Sequence, residues 1–293
     1  MTSIPKTDQQ LRLGTHVSIA GGLHKAFPRG ERVGCNAIQI FTKNANRWQA
    51  KVLQQEDIDA FKKVRQESSI DFVAAHDSYL INLASPEPDK RQRSINAFVD
   101  EVERCAALGI EYLVMHPGAH MGNGIDNGLK LLADSFRTIF QEVPGGVTIL
   151  LENTAGQGTC LGHKFEYLAD IITQVPEGDF GICLDTCHAF AAGYNLSTAE
   201  GYQATMKEFD NLIGLDRLQL FHSNDSKKPL GSRVDRHQHI GQGEMGPKGF
   251  AAMMQDSRLR RVPKIIELPP GEDNCFDFEN LGLLRKMAET KET

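Results

Sequence analysis

No apolar run in this chain approaches the roughly 20 residues needed to span a bilayer, so no helical membrane segment is expected. Residues 1–12, MTSIPKTDQQLR, lack both the apolar block of a secretory signal and the Arg-rich character of a transit peptide. A soluble, cytoplasmic protein is the expectation. Cysteine is sparse: six residues (Cys35, Cys105, Cys160, Cys183, Cys187 and Cys275) are dispersed through 293, which argues for free thiols rather than a disulfide framework. Cys183 and Cys187 are spaced C-x-x-x-C, not the C-x-x-C of a zinc ribbon, and read as small buried side chains. No GxGxxG or Walker sequence occurs, so no nucleotide cofactor is implied. Linker composition, internal repeats and low-complexity tracts are also missing. Positive charge is in the minority, with 32 Lys and Arg against 38 Asp and Glu and a net charge of -6, so the chain lacks the basic footprint usual in nucleic-acid binders.

What the chain does have is a series of apolar segments that each end in a metal-binding side chain. FVAAHDS delivers His76, YLVMHPG His116, VTILLENT Glu152, FGICLDTCH Asp185 and His188, RLQLFHSND His222, and KIIELPP Glu267. Eight strand-like runs are expected at 13–19, 36–41, 72–76, 112–116, 147–153, 180–185, 217–222 and 264–268. Helical periodicity lies between them, near 22–33, 55–67, 88–108, 127–142, 164–174, 198–213, 246–256 and 276–289. The clearest helix is 88–108, where Ile95, Phe98, Val99, Val102, Cys105 and Ala106 recur at helical spacing and Gly109 can close the end. Strand and helix alternating eight times indicates an α/β protein, either a closed (β/α)8 TIM barrel or an open doubly wound sheet. Convergence favours closure, because in a barrel all carboxyl strand ends meet on one face, whereas distant strands of an open sheet do not. Since such a barrel typically uses about 250 residues, the expectation is one domain over 13–293 after a tail at 1–12. The site is expected at the C-terminal ends of the strands.

Imidazole and carboxylate together suit zinc, manganese or iron rather than calcium. A lone strand-end histidine is usually structural, but six segments ending this way, joined by D-x-x-H at Asp185 and His188 and D-x-H at Asp235 and His237, point to a multinuclear site. His237 is preferred to His239 because it pairs with Asp235. His16 ends the first strand and would support a ligand rather than be one, whereas His24, His120 and His163 have no evident partner. The polar, Gly-rich segment 223–246 is the longest expected structureless stretch and suits an active-site loop. In HDSYLINL, Tyr79, Leu80 and Ile81 are bulky where the chain should be leaving the barrel; spacing alone favours packing under the next helix over a wedge that unstacks a duplex.

With these residues in view, the chain closely resembles the endonuclease IV family of apurinic/apyrimidinic (AP) endonucleases. The motifs that carry the resemblance are GTHVSIAGG at 14–22, HDSYLINL at 76–83, HPG at 116–118, LLENTAGQG at 150–158, LDTCHAFAAGY at 184–194, GSRVDRH at 231–237 and IIEL at 265–268. The resemblance implies three zinc ions per chain. One would be held by His76, His116 and Glu152, a second by Glu152, Asp185, His222 and Glu267 with Glu152 bridging, and a third by His188, Asp235 and His237. It also turns Tyr79 and Leu80 into DNA-inserting residues. The chain departs from the family pattern at two places. FTKNANRW has Asn46 where the pattern carries an Arg two residues before Trp48, with Arg47 next to the Trp, so Arg47 or Trp48 is expected to take over part of the insertion. Leu268 stands where a Thr is usual after the last ligand.

The activity implied is hydrolysis of the phosphodiester 5′ to an abasic deoxyribose in double-stranded DNA, leaving a 3′-hydroxyl and a 5′-deoxyribose phosphate, with 3′-end cleaning as a further expectation. Glu152 would orient the nucleophile, and a monomer is implied. Bound divalent ions can themselves supply the positive potential that an anionic substrate sees, which offsets the acidic net charge. The competing enzyme reading is a metal-dependent sugar isomerase or epimerase, which needs fewer ligands; a non-catalytic damage-binding protein with structural zinc is the reading from another class.

Overall fold

A computed structural model describes residues 11–49, 51–143 and 145–289; the greater part of the expected N-terminal tail, residues 1–10, lies outside them. The strands of the described residues run in chain order as β1 Leu13–His16, β2 Ala37–Phe41, β3 Phe72–His76, β4 Tyr112–Met115, β5 Thr148–Glu152, β6 Phe180–Asp185, β7 Leu218–His222, β8 Asp225–Ser226, β9 His237–Gln238 and β10 Lys264–Ile266. The helices are α1 Ala26–Arg32, α2 Gln55–Glu67, α3 Pro88–Leu108, α4 Ile125–Glu142, α5 Phe165–Gln174, α6 Thr186–Ala192, α7 Ala199–Leu212, α8 Pro247–Gln255 and α9 Cys275–Glu289. Eight strands close into an all-parallel barrel in the order β1-β10-β7-β6-β5-β4-β3-β2. The closed (β/α)8 TIM barrel expected from the alternation is therefore the fold.

Two regions differ from the sequence reading. The segment 223–246 is not structureless, since β8 and β9 pair antiparallel within it. The Asp225 carboxylate fastens that segment by accepting the backbone N–H groups of Ser226, Gly241, Gly243 and Met245 at 2.7–3.1 Å. The second difference is α6, an additional seven-residue helix that starts where β6 ends.

Strand alternation explains the architecture. Along β2 to β7 and β10, Ala37, Ala74, Val114, Leu150, Cys183, Leu220 and Ile265 join Phe72 in a cluster of their own that fills the barrel, while their neighbours Ile38, Val73, Leu113, Ile149, Ile182, Phe221 and Ile266 pack outward in the larger core beneath the helices. The spacing leaves little slack. A Cβ on Gly14 of β1 would lie 1.6 Å from the Ala37 carbonyl oxygen, so only glycine fits there. On the outer layer, α3 begins with Pro88 in its first turn and ends at Gly109, whose φ of 71° carries the left-handed turn that releases the chain. Its face of Ile95, Phe98, Val102 and Cys105 is buried against the barrel; truncating Phe98 alone to alanine would cost about 3–5 kcal/mol. No helix among the described residues is long and apolar enough to cross a membrane.

Candidate metal centre

Two residues beyond each of six barrel-filling side chains, the same inward alternation delivers His76 after Ala74, His116 after Val114, Glu152 after Leu150, Asp185 after Cys183, His222 after Leu220 and Glu267 after Ile265. All six thus sit one layer above the apolar filling, at the carboxyl mouth.

Glu152 is fully buried at the centre. Its Oε2 lies 3.1 Å from His76 Nε2 and 3.2 Å from His116 Nε2, and its Oε1 lies 3.0 Å from His222 Nδ1 and 3.3 Å from His188 Nδ1. One carboxylate therefore offers each oxygen to a different pair of imidazoles. Burial alone would raise its pKa, but the positive potential of His222 and His116 holds it well below the usual carboxylate range. Asp185 caps α6 by accepting the His188 backbone N–H at 2.7 Å with Oδ1, and takes the Asn224 amide at 2.6 Å on Oδ2. Asn153 braces the same aspartate through both backbone groups, accepting its N–H at 2.7 Å and donating to its carbonyl at 3.0 Å. Glu267 is held from the backbone side, its N–H donating to Asn224 Oδ1 at 2.8 Å.

The histidines share a pattern. His76 Nδ1 faces the Asp77 carbonyl at 3.0 Å, His188 Nδ1 the Asn153 carbonyl at 2.9 Å, and His237 Nδ1 the Glu267 carbonyl at 3.0 Å. A carbonyl only accepts, so each of these nitrogens carries the hydrogen and the opposite nitrogen turns a lone pair inward. For His76 that lone pair meets a Glu152 oxygen, for His188 an Asp235 oxygen at 3.3 Å, and for His237 an Asp235 oxygen at 3.3 Å and an Asp185 oxygen at 3.7 Å. His237 Nε2 is buried with no hydrogen-bond partner. Lone pairs facing carboxylates need a cation between them, either a proton or a metal. Consistent with that demand, burial works against charging His76 and His188, yet Asp77 and Glu152 around the first, and Asp185, Asp235 and Glu152 around the second, lift both well above the ordinary imidazole range. The donor set and the orphaned nitrogen fit divalent ions of the zinc, manganese and iron type.

The first two sets expected from the resemblance come together: His76, His116 and Glu152 form one group of donor atoms within 4.8 Å of one another, and Glu152, Asp185, His222 and Glu267 form another. The third is partitioned differently. Asp235 touches His188 and His237 through separate oxygens, and the compact groups there are Asp185 with His188 and His237, and Cys187 with Asp235 and His237. Cys187 is a poor ligand as it stands, because burial pushes its thiol up to about 12. Burial tends to raise the Asp235 carboxyl too, but His188 and His237 bring it down to about 2. His239 turns away, onto Asn280 and the Phe276 ring. His16 stands 3.7 Å from Glu267, as a supporting group would.

A cleft of about 380 Å³ opens beside this centre, lined by Tyr79, His116, Thr154, Gln157, His188 and Asp235, within the size range of small-ligand sites. Tyr79 is 64% exposed at its rim and meets Phe41 edge-on at 5.4 Å. Leu80 is half-buried beside Trp48 and Met121 in an adjoining cleft. Asn46 and Arg47 are exposed, while Trp48 is half-buried under the Arg93 guanidinium, 4.3 Å above its ring. Of the two residues expected to replace the usual Arg, only Arg47 is free to reach outward. The sequence reading missed Gln39, Asn153 and Asn224, each of which bonds directly to a ligand candidate.

Comparison with known proteins agrees with the geometry. Residues 27–285 match the family described as xylose isomerase-like TIM barrel. A probable endonuclease 4 from Geobacter sulfurreducens is 51% identical over 284 residues, covering 96% of each chain, and one from Chloroflexus aggregans is 52% identical over 279 residues, covering 94% of this chain and 98% of that one. The crystal structure of endonuclease IV from Thermus thermophilus superposes with a TM-score of 0.83 at 34% identity, covering 94% of this chain and 99% of that one. A 3-keto-D-glucoside 4-epimerase from E. coli shares the fold alone, at 15% identity and a TM-score of 0.69 over 94% of this chain and 100% of that one. With relatives this similar over nearly its full length, the chain belongs to the endonuclease IV family of the xylose isomerase-like TIM barrels.

Proposed function

We propose that this chain is a zinc-dependent AP endonuclease acting on double-stranded DNA, cleaving the phosphodiester 5′ to an abasic site to leave a 3′-hydroxyl and a 5′-deoxyribose phosphate, and clearing blocked 3′ ends. The observation that carries this reading is the division of Glu152, one oxygen turned to His76 and His116 and the other to His222, the arrangement one carboxylate needs to serve two metal ions. His76, His116 and Glu152 would hold the first ion, Glu152, Asp185, His222 and Glu267 the second, and His188, Asp235 and His237 the third. When bound, such ions supply Lewis-acid charge for a phosphoryl oxygen and activate water near neutral pH.

The chain's own residues account for the rest. Glu152, fixed by burial and held ionised, keeps the geometry of the reacting centre and orients the nucleophile. Asp235 stays charged throughout the physiological range and sits at the rim, where it meets the substrate side of the cleft. Tyr79 at the rim of that cleft and Leu80 in the adjoining one would act as a wedge. An abasic nucleotide has no base to stack, so turning it out costs less than the few kcal/mol an intact one requires, and the wedge fills the gap. Arg47 and Asn46 border the same face and would touch the DNA backbone. A cytoplasmic monomer fits the same reading.

The test is incubation with a duplex carrying one stable abasic analogue and with its intact counterpart, followed by analysis of both new ends. A 3′-hydroxyl and a 5′-phosphate on the lesion, lost on prolonged chelation and restored by zinc without added magnesium, is the expected result. An intact strand after zinc loading would overturn it, as would a break on the 3′ side. Turnover of a ketose instead would favour the epimerase reading.

A further inference from the structure

Gln39 lies on β2, two residues beyond Ala37 of the barrel filling, fully buried at the level of the metal-binding side chains. It belongs to none of the three ligand sets, yet it touches three groups of the centre at once. Its Nε2 donates to Glu267 Oε1 at 2.7 Å and stands 3.0 Å from His16 Nδ1, while its Oε1 lies 2.8 Å from His222 Nε2.

The chemistry of these neighbours permits one arrangement. A carboxylate only accepts, so the amide nitrogen, not the oxygen, must face Glu267. The amide oxygen is then committed to His222, and because it too only accepts, His222 must carry its hydrogen on Nε2. That leaves the His222 Nδ1 lone pair aimed at the centre, 3.0 Å from Glu152 Oε1 and 3.2 Å from Glu267 Oε2. The second amide hydrogen points at His16 Nδ1, which makes that nitrogen an acceptor. His76, His188 and His237 have their outer hydrogen held by backbone carbonyls; His222 depends on a side chain, and so on a residue that substitution can remove.

We propose that Gln39 is a positioning residue of the second metal set, one amide that fixes the tautomer of His222 and the orientation of Glu267 together. Leu268 occupies the position after Glu267 and offers the carboxylate no polar support, so the Gln39 amide supplies it from across the barrel mouth. This inference rests on the reading of Glu152, Asp185, His222 and Glu267 as a metal set.

Two variants of the full chain separate its parts. Q39L removes all three hydrogen bonds, whereas Q39E keeps an acceptor for His222 at nearly the same size. Proteins labelled with [15N]histidine, with H222Q to assign the resonances, report the His222 tautomer by long-range 1H–15N spectra in buffer made alkaline enough to neutralise that imidazole. The expected result is the Nε2–H form in the parent and in Q39E, and a mixture of tautomers in Q39L. Competition with a zinc chelator should show one of the bound ions held about 10- to 100-fold more weakly in Q39L, the range for losing a partner that orients a ligand, with the others unchanged. A Q39L protein with parental zinc affinity, or one keeping a pure Nε2–H tautomer at His222, overturns the proposal. Failure of the parent to take up zinc at this set would instead overturn the metal reading, and the metal-free spectra would still decide the tautomer.

Discussion

Removing the ammonium of Lys43 should unfasten the loop that presents Asn46 and Arg47, and the structure sets both the size and the pH dependence of the effect. Lys43 is buried behind that loop, with Nζ 2.5 Å from Asp100 Oδ2 and 3.3 Å from Glu101 Oε1 on α3. Thr42 donates to Glu101 Oε2 at 2.6 Å, and Arg104 donates to the Thr42 carbonyl at 2.7 Å and to the Lys51 carbonyl at 3.2 Å. The side chains of Lys43 and Glu101 are only 3% and 2% exposed. Burial pushes the Glu101 carboxyl up to about 6 from its ordinary 4.5, even though Lys43 and Thr42 oppose the rise. A carboxyl raised on folding favours the protonated form, so its contribution to stability is fully present below pH 4.5 and is lost as pH climbs through about 6. The change amounts to about 2 kcal/mol, at 1.36 kcal/mol per pH unit between 4.5 and about 6.

Lys43→Met keeps most of the side-chain volume and deletes the charge, leaving Glu101 buried without its cation. The cost near pH 7 should be about 3–5 kcal/mol, the range for breaking a buried pair from one side. Because Glu101 then rises further, the deficit relative to the parent should shrink on acidification towards pH 5. Lys43→Met combined with Glu101→Gln leaves no buried uncompensated charge, since the Asp100 side chain is 43% exposed, and should recover most of the loss. Urea unfolding of the parent and both variants at pH 5 and pH 7, read as differences between proteins, measures this directly. A single variant that loses less than about 1 kcal/mol near neutral pH, or a double variant no more stable than the single, would refute the reasoning.

Glu152→Gln should lower cleavage of abasic DNA by at least about 100-fold with little change in circular dichroism, since even the outer partners of metal ligands are worth 10- to 100-fold; parental activity would remove Glu152 from its bridging role. Asp235→Ala should reduce bound metal by one ion per chain in elemental analysis while leaving the others, and collapse of all metal binding would show that the sets are not separable. Tyr79→Ala with Leu80→Ala should weaken binding of abasic duplex at one fixed salt concentration by about 10-fold or more, as expected for losing 1–3 kcal/mol of stacking contact, and should affect the rate once bound less. Arg47→Ala should have the smaller effect; a larger one would transfer the wedge to the β2 loop.

How much of this was legible in the sequence follows from the two-residue period of a strand. Six apolar runs with a histidine or carboxylate at the same phase give both the barrel and the ligand layer, because inward positions alternate and the last inward residue lies at the mouth. The same period misleads where strand passes directly into helix. LDTCHAFAAGY holds the end of the expected strand, with no helix expected before 198, yet Asp185 caps α6 from the strand's own last position and Gly193 closes it in the left-handed region with φ 116°. Both cap residues were visible, but Thr, Cys and His at the start of a seven-residue helix give no periodicity to find. In the segment 223–246 the organising contacts are backbone N–H groups gathered by one carboxylate, Asp225, up to 20 positions away, and no local pattern encodes such a closure.

Gln39 and Lys43 differ in how far the sequence shows them. Gln39 is legible by phase. In NAIQIF the inward phase runs through Ala37, Gln39 and Phe41, so counting by two from the barrel filling places an amide among the ligands, but a search for imidazoles and carboxylates passes over it. Lys43 and Glu101 were hidden by topology. They stand 58 positions apart, and in DEVERC a glutamate on an amphipathic helix reads as a solvated face. It becomes a buried partner only because β2 and α3 meet across the loop that follows β2, bringing Thr42 and Lys43 onto it. The distinction separates what closer reading of a barrel sequence can recover from what needs the fold. Residues in phase with the ligand layer are recoverable from strand register alone, whereas charges that brace a substrate-facing loop depend on which helix the closed barrel sets behind it.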